Sequence, residues 1–178
     1  MSTELLIREA TPEDSIALIA FLNQVGKESH FLTLDEAGIL MSPTQMQDYL
    51  AQILTKDNNA YFLALVGQEI AGVLHITADF HYRIHHIGDI FIAVSSQFQG
   101  YGIGSFLFED ALEWIEEMDV IKRLELTVQK RNKAAIHLYK KFGFVLETIQ
   151  KYGARDEDGQ LIDVYQMVKF FKLNKAVK

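Results

Sequence analysis

Three glycines stand at alternate positions between two hydrophobic stretches, in the sequence VSSQFQGYGIGSFLFEDALEW of residues 94–114. The run before them is typical of a strand and the run after them is typical of a helix. The first turn of a helix has N–H groups without intrahelical acceptors, and the helix dipole adds positive charge there. Because glycines carry no Cβ, several of these N–H groups can converge on phosphate oxygens. The stretch therefore favours a phosphate-binding turn over a turn whose glycines serve geometry alone.

Two common phosphate-binding motifs fit this junction poorly. A P-loop has a lysine directly after its last glycine, whereas Ser105 follows Gly104 here. A dinucleotide-binding fingerprint has the spacing G-x-G-x-x-G, and its last glycine is replaced by Ser105 or by Leu107, depending on where the count starts. The junction also follows four predicted strands, whereas that fingerprint belongs to a first βα unit. These differences argue against a P-loop nucleotidase and against a nicotinamide or flavin enzyme.

The whole chain predicts a strand, two helices, three strands, a helix, a strand, a helix and two strands. Pro12 and Pro43, each after a hydroxyl residue, mark helix starts. Gly67 marks a hairpin, and Gly143 ends the last helix. We expect a single α/β (α+β) domain over residues 1–178, in which about four helices flank a central, mostly antiparallel mixed sheet of about seven strands.

Composition limits the classes of partner. The 178 residues include no cysteine, which excludes disulfides and thiolate metal sites. The formal net charge is −7, and basic residues cluster only in KRNK (residues 130–133) and in the tail KLNKAVK (residues 172–178), whereas a nucleic-acid binder usually has a basic face. No apolar run approaches the ~18 residues of a membrane span, and acids occupy the N-terminal stretch where a signal peptide needs an apolar core. We expect a cytoplasmic protein without a nucleic-acid partner or membrane contact.

Two motifs together resemble a known family. The stretch QGYGIG, residues 99–104, resembles the acetyl-CoA signature Q/R-x-x-G-x-G/A of the GCN5-related N-acetyltransferases, the GNAT superfamily. The stretch NKAAIHLYKKFGF, residues 132–144, matches that family's downstream pattern N-x-x-A-x-x-x-Y-x-x-x-G-F. The resemblance extends from about residue 87 to residue 170, and the order of predicted elements agrees with it. It implies a GNAT-like fold, acetyl-CoA as cofactor and CoA as product.

The resemblance also implies cofactor-binding residues. The strand of residues 91–94 would diverge from the strand RLELTVQ, and the pantetheine arm would fill the gap. The pyrophosphate would lie on N–H groups of residues 99–105, and Asn132 would lie near the cofactor, although helix capping also explains this asparagine. The implied cofactor-binding residues are Ile92, Ala93, Val94, Gln99, Gly100, Tyr101, Gly102, Ile103, Gly104, Ser105, Asn132 and Tyr139.

Tyr139 matches the residue that usually serves as general acid in this family. A phenol hydroxyl can donate a hydrogen bond or a proton to the sulfur as negative charge develops on it. The alternative from the residues alone is that Tyr139 packs on the apolar face that Ile136 and Phe142 share.

The general base is not indicated by the motifs. Candidates are Glu28, Asp89, Glu125, His85, His86 or a chain of waters, and the three acids are also the candidate substrate-binding residues. The group of His81, His85 and His86 matches no standard zinc spacing, so no metal is expected.

The C-terminal sequence from Phe142 to Phe170 resembles the ending of bacterial GNAT enzymes that include small L-amino-acid and ribosomal-protein N-acetyltransferases, with Thr148 where glycine is common. We expect transfer of an acetyl group to a primary amine of a small molecule, such as an amino acid or a polyamine. Residues 27–41 are apolar enough to fold over such an acceptor. A protein N-terminus or lysine as acceptor, a non-catalytic CoA-binding module, and a homodimer stay open.

Overall fold

The computed structural model describes residues 4–34 and 38–173. Within these ranges the chain forms seven strands, β1 (Leu5–Glu9), β2 (Ala60–Val66), β3 (Glu69–Ala78), β4 (Ile87–Val94), β5 (Arg123–Gln129), β6 (Val145–Arg155) and β7 (Leu161–Phe170). It also forms four α-helices, α1 (Ser15–Glu28), α2 (Pro43–Ile53), α3 (Ile103–Met118) and α4 (Lys133–Lys141). The predicted fold class and order of elements are confirmed.

The strands form one sheet in the order β1-β2-β3-β4-β5-β7-β6. Every neighbouring pair is antiparallel except β4 and β5, which run parallel. That parallel pairing covers only three residues of each strand and ends at Asp89 and Glu125. β4 continues to Val94 and stays paired with β3, while β5 continues to Gln129 and stays paired with β7. A gap therefore opens between β4 and β5, as the family resemblance implied.

Each face of the sheet is covered by two helices. α3 and α4 lie on one face, over a core that includes Leu107, Phe108 and Met167. α1 and α2 lie on the other face, over a core that includes Leu18 and Leu50. Successive side chains of a strand point to opposite faces, so β2 contributes to both cores. Burial of apolar side chains on both faces holds the diverging strands in place.

The predicted turn signals lie where the sequence placed them. The Ser42 hydroxyl accepts a hydrogen bond from the Gln45 N–H and caps α2, and Gly143 ends α4 at φ +86°. β6 is longer than predicted, because it continues through a bulge at Tyr152 and pairs again with β7. The Asp163 carboxylate accepts the Tyr152 N–H there and stabilises the bulge.

No helix within the described residues is long and apolar enough to cross a membrane. The end of the basic tail, residues 174–178, lies outside the described residues, as do residues 35–37 of the stretch expected to fold over the acceptor.

Candidate active site

A cleft of about 660 Å³ occupies the gap between β4 and β5. One wall is the free edge of β4, residues 89–94, which continues into the glycine turn of residues 99–105. The opposite wall includes Asn132, at the start of α4, and Tyr139. A third wall, the α1 wall, consists of residues 28–33, the last residue of α1 and the five residues that follow it. The cleft therefore joins regions that are far apart in sequence.

The glycine turn presents a row of unpaired donors. The N–H groups of residues 100–104 have no hydrogen-bond acceptor in the part of the chain that the structure describes. The next two N–H groups, of Ser105 and Phe106, both bond to the Gly102 carbonyl, at 2.9 and 3.2 Å. The row thus lies at the positive end of the 16-residue helix α3. Such an arrangement is suited to binding a phosphate group.

The three glycines serve different purposes in this turn. Gly100 and Gly102 have φ of +84° and +81°, in the left-handed region that side chains with a Cβ rarely adopt. Gly104 has ordinary backbone geometry, but a Cβ there would lie 3.1 Å from Cδ2 of Leu138. Gly104 therefore lets α3 pack closely on α4, whereas the other two shape the row of donors. The sequence predicted the site but not this division of roles.

Two of the predicted cofactor-binding residues direct their side chains differently, and their roles at the cofactor stay predictions. The Gln99 side-chain amide donates to the Val94 carbonyl at 3.0 Å, which braces the turn against the end of β4. The Tyr101 side chain is 75% exposed and does not line the cleft. The structure also places near the turn a residue that the motifs did not indicate. The Lys141 ammonium lies 3.0 Å from the Ser105 hydroxyl. Only the packing of α4 against α3 reveals this cation.

Tyr139 combines a buried ring with a hydroxyl that has no partner among the described residues. Its side chain lines the cleft, and its ring packs against Phe108 and Phe144, with ring centroids 5.8 and 6.0 Å apart. Burial raises its pKa to about 12. The hydroxyl has no hydrogen-bond partner among the described residues. The phenol is therefore protonated at neutral pH and free to donate, while the ring also fills the packing role considered from the sequence.

Asn132 caps the helix that carries Tyr139. Its side-chain oxygen accepts the Ala135 N–H at 3.2 Å, and the residue also lines the cleft. The capping explanation is thereby confirmed, and a role near the cofactor stays a prediction.

Asp89 lies at the point where β4 and β5 separate. Its carboxylate lines the cleft and has no hydrogen-bond partner within the described ranges. The residue is exposed, but partial desolvation of the carboxylate and the nearby charge of Glu125 raise its pKa to about 6. Glu125 does not line the cleft, because it accepts hydrogen bonds from Arg123 Nε at 2.8 Å and from Gln166 Nε2 at 3.4 Å. The two acids therefore have different surroundings.

The other predicted base candidates have structural partners. Glu28 lines the cleft, but its carboxylate accepts the Ser96 N–H at 2.9 Å, which lowers its pKa. This bond ties the end of α1 to the turn after β4. His85 places Nδ1 2.9 Å from the Tyr82 carbonyl, and neither His85 nor His86 lines the cleft.

The α1 wall is held by β5 and the turn that follows it. The buried Gln129 amide donates to the His30 carbonyl at 3.0 Å. The Arg131 guanidinium donates to Gln129 at 2.8 Å and to Glu157, and it lies 5.5 Å from the centre of the Phe31 ring. The sequence indicated none of these contacts. Those with His30 and Phe31 join residues about 100 positions apart, which leave no periodic signal.

The chain resembles acetyltransferases over most of its length. Residues 30–144 match the model of the Acetyltransferase (GNAT) family. An acetyltransferase of GNAT family from Streptococcus pneumoniae is 47% identical, and the match has a TM-score of 0.92 and covers 94% of this chain and 100% of that chain. The yncA protein of Salmonella typhimurium, solved with its cofactor acetyl-CoA, has the same fold, with a TM-score of 0.83 over 98% of both chains at 14% identity.

A curated enzyme is also similar. The L-amino acid N-acetyltransferase AaaT of Escherichia coli (strain K12) is 33% identical over 108 residues, a match that spans 60% of this chain and 65% of that enzyme. The chain therefore spans somewhat less than two thirds of this relative's length.

Proposed function

The chain belongs to the acetyltransferase (GNAT) family, and we propose that it is an N-acetyltransferase that uses acetyl-CoA to acetylate the primary amine of a small molecule. The observation that carries this proposal is the cleft itself. Unpaired N–H groups of residues 100–104 belong to its lining turn, and Tyr139 and Asp89 also line it, with no hydrogen-bond partner for either side chain among the described residues. One cleft thus provides a phosphate-binding turn, a proton donor and a proton acceptor.

The residues fit the cofactor. The glycine turn would bind the pyrophosphate through N–H groups, and the free edge of β4, residues 90–94, would face the pantetheine arm. Acetyl-CoA supplies, when bound, a thioester carbonyl that an amine can attack.

Asp89 and Tyr139 divide the proton chemistry in this proposal. A protonated α-amine has a pKa of ~7.7–8.0 and an alkyl ammonium ~10.4, so either must lose a proton before it attacks. Asp89, ionised above its pKa of about 6, binds the ammonium and accepts this proton. The pKa of Tyr139, about 12, keeps its hydroxyl protonated at neutral pH, and the hydroxyl donates this proton toward the leaving sulfur. Glu28 then holds the α1 wall in place and does not transfer protons, since its carboxylate is already bound to Ser96.

A protein acceptor is the second candidate. The match to the L-amino acid N-acetyltransferase of Escherichia coli supports a small molecule, and so does the α1 wall, which lines the cleft and is hydrogen-bonded to the end of β5. The single domain over residues 1–178, a homodimer and a cytoplasmic location stay predictions.

Release of CoA thiol from acetyl-CoA tests the proposal. The protein is mixed with acetyl-CoA and, in separate reactions, with amino acids, amino acid amides, polyamines and short peptides. We expect thiol release only with an added amine, and the acetylated amine in the product by mass spectrometry. Acetyl-CoA binding without transfer to any amine in this panel would favour the non-catalytic alternative.

A further inference from the structure

We infer from the charges around the cleft that the acceptor is a small primary amine with no carboxylate beside it, such as a polyamine or an amino acid amide. This inference rests on the proposed function and selects among its acceptors. It starts from the side chains that line the cleft. The charged ones among the described residues are Glu28 and Asp89, and no lysine or arginine is among them.

The arginines closest to this region are already paired with acids. Arg123 donates to Glu125 at 2.8 Å and to Glu147 at 2.8 Å. Arg131 donates to Glu157 at 3.0 Å. A guanidinium whose donors are bound to protein carboxylates cannot bind a substrate carboxylate without giving up that pair.

His30 does not provide the cleft with an uncompensated positive charge. It is the one histidine among the described residues that line the cleft, and its main-chain carbonyl accepts the Gln129 amide at 3.0 Å. Its side chain interacts electrostatically with Glu157, whose pKa is lowered mainly by the hydrogen bond with Arg131 and also by His30. An acid of the protein therefore already compensates this side chain.

The consequence for an acceptor follows from the covalent structure of an amino acid. Its α-carboxylate is bonded to the carbon that carries the amine, so placing the amine at Asp89 brings two carboxylates close together. Like charges that face each other without a cation disfavour binding. An amide, a second amine or a peptide bond at the same position removes that repulsion, and a second ammonium adds attraction to the acids.

Two matched pairs of acceptors test this inference. L-Leucinamide is compared with L-leucine, and 1,4-diaminobutane with 4-aminobutanoate. The dipeptide Leu-Gly then distinguishes a peptide N-terminus from a free amide or diamine. Steady-state kcat/KM is measured by CoA release, and calorimetry measures binding of the same compounds to the protein saturated with CoA, so that binding is observed without turnover.

We expect kcat/KM and affinity to favour the member without a carboxylate by about tenfold or more in each pair, because charges near a protein surface interact with energies of that size. The preference should shrink in Asp89→Asn and in Glu28→Gln and stay unchanged in Glu116→Gln, an exposed acid of α3 outside the cleft. The amine pKa values of leucine and leucinamide differ, but they are the same with every variant. A change in the preference between variants therefore reports the charge of the cleft.

The other possible results contradict either this inference or the proposed function. Leucine binding and reacting as well as leucinamide would overturn the inference, as would a preference that is the same in Asp89→Asn as in the parent protein. No binding by any of these amines would also overturn it. Tighter binding of leucinamide than of leucine to the CoA complex, without transfer from acetyl-CoA, would instead contradict the proposed function and leave the charge preference standing.

Discussion

The cleft has two sides that are built in different ways. The cofactor side consists of the glycine turn and the free edge of β4, so it offers mainly backbone atoms of one continuous stretch of chain. The acceptor side consists of the α1 wall and Asp89, held by Gln129 and Arg131, so it depends on side chains from distant parts of the sequence. Most substitutions near the glycine turn leave its backbone N–H groups in place. A substitution in the α1 wall, in contrast, changes the groups that an acceptor contacts. The difference explains why a shared cofactor site leaves the acceptor open.

Tyr139 lies where the two sides meet, and its removal is expected to have the largest effect. Tyr139→Phe keeps the ring that packs against Phe108 and Phe144 and removes only the hydroxyl. We expect kcat to fall about a thousandfold, within the ~10²–10⁴ that general acids contribute. The affinity for CoA, measured by calorimetry, and the melting temperature should stay nearly unchanged. Turnover at the parent rate, with chemistry shown to be rate-limiting, would leave Tyr139 a packing residue only.

The two sides also differ in how far the sequence predicted them. Glycine conformations and the donors of residues 100–104 are local, so a short motif in QGYGIG was enough to indicate the cofactor side. The acceptor side rests on pairs such as Glu28 with Ser96 and Gln129 with His30, which are 68 and 99 residues apart. Neither pair leaves a periodic signal in the sequence. Of the three candidate acids, Glu28 and Asp89 line the cleft and Glu125 does not. Only the fold shows the surroundings that distinguish them, and their role in substrate binding stays a prediction.

Asp89 tests whether the acceptor side takes part in the chemistry. Asp89→Asn is expected to lower kcat/KM for the amine about a hundredfold, the lower end of the range for a general base. In the parent protein kcat/KM should rise as the pH passes through about 6, because the raised pKa leaves the carboxylate protonated below that value. The variant should lose this inflection and keep the one that belongs to the amine. An unchanged inflection near pH 6 would assign it to another group.

The same substitution is expected to stabilise the protein, which separates function from folding at this position. The folded-state pKa of Asp89 is raised above its ordinary value of 3.8, so the folded protein holds this proton more tightly than the unfolded chain. Its contribution to the free energy of unfolding is therefore lost as the pH rises through about 6. Asp89→Asn should melt at a higher temperature than the parent at pH 8, and the difference should vanish toward pH 4. A lower melting temperature at pH 8 would show that Asp89 makes a favourable contact.

A substitution of Arg131 tests whether contacts outside the cleft hold the α1 wall in place. Arg131→Met removes the guanidinium that bonds to Glu157 and lies over Phe31. We expect KM for the amine to rise about fivefold, because an exposed ion pair contributes at most about 1 kcal/mol, while KM for acetyl-CoA stays the same. Arg155→Met is the matched control, since Arg155 lies at the end of β6, two residues before Glu157, and its side chain bonds only to the Gly159 carbonyl among the described residues. Equal rises in both KM values would mean that the two sides are not independent.

Lys141 gives the smallest expected effect and tests whether the cofactor side relies on backbone alone. Its ammonium lies 3.0 Å from the Ser105 hydroxyl, in the first turn of α3, where the helix dipole already provides positive charge. A cation is unfavourable there until an anion binds, so Lys141→Met should weaken CoA binding about two- to fivefold at low salt. The loss should disappear at high salt, where surface charges are screened.

The matched control is the neighbouring lysine. Lys140 is exposed, and its side chain makes no hydrogen bond or ion pair with any described residue, so Lys140→Met should leave CoA affinity at the parent value. Melting without CoA gives a second readout with the opposite sign, because removing a cation from the positive end of α3 should raise the melting temperature slightly in Lys141→Met and not in Lys140→Met. CoA affinity that falls equally in both variants would assign the effect to net charge. Affinity unchanged in both would leave the N–H groups of residues 100–104 as the whole of the phosphate site, and the cofactor side would then be built from backbone alone.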